Sequence, residues 1–157
     1  MRIRKILCPV DFSEPARDAL LFAADLAQQY DAELTLLHVY QIPGYAFPEG
    51  IVLAGPEVMA ELMVRIDKVL GEWKSDAEGH GAMRVSTLSV QGAPWNEIVR
   101  TAREQGYDLV VIGTHGRTGL KHVILGSVAE KVVRRAPCPV LTVRLASHLE
   151  AHDNAGL

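Results

Sequence analysis

The feature that most constrains this chain is an alternation. Short, strongly apolar runs are separated by longer segments whose apolar residues recur at helical spacing. Ile6-Leu7-Cys8-Pro9-Val10 is apolar throughout and stops at Asp11, so it reads as a strand buried on both faces. Ser13 suits an N-cap, and beyond it Ala16, Ala19, Leu20, Ala23, Leu26, Ala27 and Tyr30 predict an amphipathic helix. Leu34 to Val39 predicts a second strand. Tyr40 to Pro56 is rich in Gly and Pro, carries no clear period and reads as a long loop, either a lid or a contact surface. Val58, Leu62, Met63, Ile66, Val69, Leu70 and Trp73 line a second helix, which Gly79-His80-Gly81 ends. A strand over Val85 to Val90 follows. Gly92-Ala93-Pro94 then opens a helix with Trp95, Ile98, Val99 and Ala102 inward and Gly106 at its close. Leu109 to Ile112 makes the fourth strand, a last helix precedes Pro137, and Val140 to Val143 makes the fifth. Short buried strands alternating with helices build a parallel sheet covered on both faces, so the expected class is α/β, doubly wound.

A chain of 157 residues is the size of one domain, expected over residues 1–144, with residues 145–157 lacking any period and expected to be a mobile tail. At 48% hydrophobic and 22% charged, the composition argues against disorder. A net charge of −3 lacks the basic excess of a backbone-reading nucleic-acid binder, so no nucleic-acid partner is expected. The basic start Met1 to Lys5 resembles a signal peptide's, but Asp11 cuts its apolar stretch short, and no run approaches the ~18 apolar residues of a membrane span. The expectation is a cytoplasmic protein with no membrane partner. Cys8 and Cys138 have no CxxC spacing and are expected to pack rather than bind metal or pair.

Open parallel sheets bind ligands beyond the carboxyl ends of their strands, where the strand order reverses. Two strand ends are chemically distinctive here. Asp11-Phe12-Ser13 offers a carboxylate and a hydroxyl. Gly113 to Ser127, Gly-Thr-His-Gly-Arg-Thr-Gly-Leu-Lys-His-Val-Ile-Leu-Gly-Ser, places glycines at 113, 116, 119 and 126, which permit positive φ and close approach of an anion to main-chain N–H groups. Ser127 and Glu130 match an S-x-x-E capping box, putting a helix N-terminus at the glycine loop. A phosphate cradle and an ordinary glycine-rich connection both fit. The Walker pattern fails, because Lys121 follows Gly119-Leu120 and precedes His122, and the dinucleotide pattern fails on glycine spacing.

Gly113-x-x-Gly116, followed after nine residues by Gly126-Ser127, resembles the nucleotide signature of the universal stress protein family, in its ATP-binding branch. Ile6 to Ser13, Leu36 to Val39, Asp108 to Gly113, Gly126 to Val132 and Cys138 to Leu141 agree with it, so the likeness runs from about Arg4 to Arg144. The resemblance implies a five-stranded parallel sheet of the Rossmann-like, adenine-nucleotide alpha-hydrolase-like kind and homodimers paired through the last strand, Val140 to Val143. It implies that Pro9, Val10 and Asp11 line the cofactor site, with Asp11 contacting the nucleoside, and that backbone at Val39 meets adenine. Gly113, His115, Gly116, Arg117, Gly126, Ser127 and Val128 would surround ribose and phosphates. The implied ligand is ATP, with Mg²⁺.

Each residue also has a plainer reading. Asp11 could cap the turn after its strand, and His115 could be a solvated loop histidine rather than a phosphate or metal contact. Arg117 and Lys121 could be surface bases rather than partners of phosphate. His38 reads as a strand residue near the crevice with a hydrogen-bonded ring, and Trp73 and Trp95 as core. Three functions compete. One is a dimeric, ATP-binding regulatory module that changes its hold on a protein partner under stress. The others are a slow ATP hydrolase or phosphoryl-transfer enzyme, for which no convincing base is apparent, and a scaffold without nucleotide.

Overall fold

The structure, a computed structural model, describes residues 2–114 and 125–144. Its elements are β1 (Lys5–Pro9), α1 (Glu14–Tyr30), β2 (Glu33–Tyr40), β3 (Gly44–Phe47), β4 (Gly50–Leu53), α2 (Pro56–Gly79), β5 (Arg84–Gln91), α3 (Pro94–Glu104), β6 (Leu109–Gly113), α4 (Ser127–Arg135) and β7 (Val140–Val143). Five strands form a parallel sheet in the order β5-β2-β1-β6-β7. The chain runs outward from β1 to β2 and β5, then returns to the other side of β1 for β6 and β7. The order therefore reverses between β1 and β6.

Alternate residues of a strand point to opposite faces, which explains why β1 is apolar at consecutive positions. Ile6 and Cys8 pack with Leu34, Leu36 and Val111 beneath α1 and α2, whereas Leu7 packs with Leu37, Val110 and Ile112 beneath α3 and α4. Burial is so complete at Cys8 that its thiol pKa is pushed up to about 12, leaving it a packing group. Cys138 is half-buried, and both cysteines are free thiols. α1 meets the sheet through alanines, Ala16, Ala19, Ala23 and Ala27, whose small side chains let helix and strands approach closely.

Several expectations are corrected. Residues 40–56 are not a structureless loop: β3 and β4 form an antiparallel hairpin turning on Pro48-Glu49, with Tyr45 opposite Val52 and Phe47 opposite Gly50. Its strand formers, Tyr45 to Phe47 and Ile51 to Leu53, are short runs hidden among the turn residues Pro43, Gly44, Gly55 and Pro56. Tyr30 and Val58, at the ends of their helical stripes, are exposed. Trp73 is buried in the core, and Trp95 is half-buried against the α3 and α4 side of the core, where Lys131 and Arg135 of α4 lie over its ring. The predicted tail, residues 145–157, lies outside the described residues.

Candidate functional site

The carboxyl ends of β1 and β6 flank the reversal of strand order. Hydrogen bonds fix both ends. Val10 N–H donates to the Leu37 carbonyl at 2.8 Å, and Thr114 N–H to the Val143 carbonyl at 3.0 Å. Thr114 itself is buried, and its carbonyl accepts from Gly126 N–H at 2.5 Å. That bond seats the start of α4 beside the end of β6.

After β1 the chain makes a tight turn into α1. Phe12 adopts φ 63°, a region that bulky side chains rarely occupy. Ser13 is the N-cap of α1, its hydroxyl accepting from Ala16 N–H at 3.4 Å. Asp11 Oδ1 accepts from Ser13 N–H at 3.0 Å and from the Ser13 hydroxyl. The turn-capping reading of Asp11 is therefore realised. Beneath this turn, the Phe12 ring stacks on His38 at 4.4 Å and meets the edge of Trp73 at 5.5 Å. His38 is buried, and its Nδ1–H donates to the Val10 carbonyl at 2.8 Å, as expected of a strand histidine with a hydrogen-bonded ring.

The glycines have different reasons from those the spacing suggested. Gly113 is not left-handed. A Cβ there would lie 2.7 Å from the Pro15 carbonyl oxygen and 2.9 Å from its carbon, so glycine is needed for the first turn of α1 to press against the end of β6. Gly126 has φ −67° and ψ 157°, ordinary extended backbone, and is itself the N-cap of α4. The capping box is corrected accordingly. Ser127 is the first residue of α4, one position too late to cap, while the Gly126 carbonyl accepts the first helical bond from Glu130 N–H at 2.9 Å. Because the cap has no side chain, the N–H groups of the first turn, beginning at Ser127 and Val128, are not taken by a capping side chain.

The described residues thus bring Pro9, Val10 and Asp11 to the same end of the sheet as Gly113, Gly126, Ser127 and Val128, with Val39 near the end of adjacent β2. Ser127 is exposed, and Val128 and Val39 are half-buried against the α3 and α4 side of the core. His115, Gly116, Arg117 and Lys121 lie outside the described residues. Sequence reasoning passed over Thr114, whose carbonyl holds Gly126, and Phe12, whose backbone makes the turn. The Asp-x-Ser spacing was the available signal for a turn at Phe12, since Asp side chains commonly bond the backbone two residues on.

Among the described residues no group of three or more His, Cys, Asp or Glu could hold a metal ion. A cavity of about 240 Å³ lies at the opposite end of the sheet, beside Lys5, Glu33 and Tyr107. Several of its polar groups pair with one another. Thr35 and Ser86 hydroxyls lie 3.0 Å apart, the Tyr107 hydroxyl donates to Gln105 at 3.4 Å, and Lys5 Nζ donates to the Gln105 carbonyl at 2.8 Å. Burial pushes the Tyr107 phenol above its ordinary pKa.

Known proteins share this architecture. The sequence model described as the Universal stress protein family matches residues 2–144. Universal stress protein MJ0531 of Methanocaldococcus jannaschii is 36% identical over 143 residues, covering 90% of this chain and 82% of that protein. Universal stress protein UspA from Lactobacillus plantarum superposes with a TM-score of 0.78 at 29% identity, covering 92% of this chain and 99% of the other. A universal stress protein solved in complex with cAMP superposes at 0.69 with 26% identity, covering 92% and 98%. With a family match along nearly all of the described chain and the sheet order to accompany it, this chain belongs to the universal stress protein family.

Proposed function

We propose that the crevice between the ends of β1 and β6 binds an adenine nucleotide, ATP in preference, and that the chain acts as a dimeric regulatory module that senses it. The observation that carries this reading is the start of α4. It opens on Gly126, which has no side chain to cap it, and a hydrogen bond to Thr114 holds it beside the strand end. A helix start with no capping side chain offers N–H groups and the positive end of a dipole to phosphate. The cAMP complex of a 26% identical relative supports a nucleotide as the ligand of this fold. Asp11 would meet the ribose and backbone at Val39 the base, with Gly116, His115 and Arg117 on the phosphate side.

The exposed Ser127 hydroxyl, at the same helix start, is a hard oxygen donor that suits Mg²⁺ shared with the phosphates. Bound there, the ion would neutralise phosphate charge. Asp11 has one carboxylate oxygen engaged by Ser13, which suits holding a ligand in place more than accepting a proton from one. Dimerisation would use β7. Among the described residues it pairs only with β6, so its outer edge would offer backbone groups over Val140 to Val143 to a second copy's strand.

Calorimetric titration with ATP and Mg²⁺, preceded by identification of any nucleotide released on denaturation, tests the reading. Asp11→Ala is expected to weaken binding by about 1.5–3 kcal/mol, the worth of a hydrogen bond to a charged group. Wild-type protein that neither carries nor binds an adenine nucleotide would overturn it.

A further inference from the structure

The β3–β4 ribbon is unusual for what it leaves uncovered. All eight of its residues are exposed, and neither strand packs substantially against any other described element. Its register puts Tyr45, Phe47 and Val52 on one face and Ile51 and Leu53 on the other, so both faces are apolar. A two-stranded ribbon is at best marginally stable in water unless a face is packed. The exposed apolar surface continues onto α2, whose first buried residue is Ile66, well along the helix from its start at Pro56. There Val64 is 71% exposed, nearly matching Ile51 at 72%.

The outer face of α2 carries a shallow groove lined by Ala60, Glu61, Val64, Arg65 and Lys68. Ala60, Val64 and Lys68 are spaced by four, so they form a single stripe with an aliphatic middle and a basic end. Arg65 and Lys68 make no ion pair with a described residue of their own chain, and nor does Glu49, the only charged residue between Tyr40 and Glu57. Glu49 sits at the tip of the ribbon. The groove holds one carboxylate, Glu61, at its start and two cations, Arg65 and Lys68, toward its end, so an apolar ribbon tipped by one carboxylate complements it with the tip at the Arg65 and Lys68 end.

We propose that the β3–β4 ribbon is a docking arm for a second copy of this chain, lying on that copy's α2 stripe with Glu49 against Arg65 and Lys68. The arrangement is self-complementary, since each copy carries both parts, and it closes with two-fold symmetry. This interface is separate from pairing through β7, and it does not depend on nucleotide.

Sedimentation velocity of the full chain tests it. Phe47→Ser with Ile51→Ser removes one apolar anchor from each face, and because both residues are exposed the thermal melt should hold. The association state is expected to fall by one step. Glu49→Lys should weaken association at least tenfold, and adding Arg65→Glu and Lys68→Glu to it should restore it. In a Cys138→Ala background, differently tagged Glu49→Cys and Lys68→Cys chains should form a mixed disulfide on mild oxidation. That product reports the ribbon on α2 and is silent on β7. Unchanged sedimentation of the serine variant, failure of the charge swap to restore association, or absence of the mixed disulfide would each overturn the proposal.

Discussion

Two helices, α1 and α4, begin at the same crevice, and the chain treats their first turns in opposite ways. At α1 the protein uses up the positive end. Ser13 caps it, Asp11 braces Ser13, and Pro15 contributes no N–H in the first turn. Even the space is taken, because the Pro15 carbonyl lies against Gly113 so closely that a methyl group would not fit between. At α4 the cap is Gly126, with no side chain to offer, and Ser127 stands one residue inside. The two ends have the same dipole and the same sheet beneath them. What separates them is whether a capping side chain has answered the first N–H groups: at α1 one has, and at α4 none does, which is why the proposed reading puts the phosphates at α4.

The strongest way to break this comparison is to force space between α1 and β6. Gly113→Ala is expected to cost about 3 kcal/mol, the upper part of the usual range for overpacking, because the atom opposed is backbone and cannot swing away. In a domain of this size that corresponds to a fall in Tm of roughly 6–12 °C. A variant that melts with the wild type would show that the close approach is absent. Gly126→Asp sharpens the other side. An aspartate cap would take the N–H groups of α4 and repel polyphosphate, so ATP affinity should fall about 100-fold, equivalent to roughly 2.7 kcal/mol. Stability should rise by only a few tenths of a kcal/mol, since glycine is already an acceptable cap. Calorimetry and thermal melts on the same samples separate the two effects. Ser13→Ala should do the reverse. It should lose about 1 kcal/mol of stability, with nucleotide affinity falling far less than in Gly126→Asp.

How much of this was legible beforehand depends on what each signal can resolve. The sheet core was readable because a strand buried on both faces has to be apolar without interruption, as Ile6 to Val10 and Leu109 to Ile112 are. The helices were readable because their stripes carry many residues each. That the ends of β1 and β6 lie side by side was readable, but why glycine stands there was not. Glycine at 113 and 126 was taken as freedom for positive φ, yet one answers a steric approach from a helix more than ninety positions away in sequence and the other is a cap. Neither cause leaves a mark in local spacing. Ser127 and Gly126 are both good caps by type, so a one-residue choice between them belongs to the hydrogen bond from Gly126 to Thr114, which is tertiary. The hairpin was missed for the opposite reason, since its strands are only four residues each and are surrounded by turn formers.

The smallest expected effect concerns Phe12, where the α1 turn places a bulky residue at φ 63°. A left-handed conformation costs a non-glycine residue about 1–2 kcal/mol, while the ring contacts with His38 and Trp73 return a similar amount, about 0.5–1.5 kcal/mol for an aromatic pair beyond its burial. Phe12→Gly and Phe12→Ala both lose the ring's contacts and its partial burial, so the informative quantity is the small gap between them, about 1 kcal/mol. Phe12→Ala loses the ring but keeps the Cβ that makes the turn costly, and it should be the less stable of the two. Elsewhere in a folded chain alanine ordinarily outranks glycine, because glycine gives up more backbone entropy on folding. Chemical denaturation of the pair would therefore show an inverted order if the turn is strained as described. Alanine above glycine would mean that Phe12 is held by its ring alone and that α1 begins without strain.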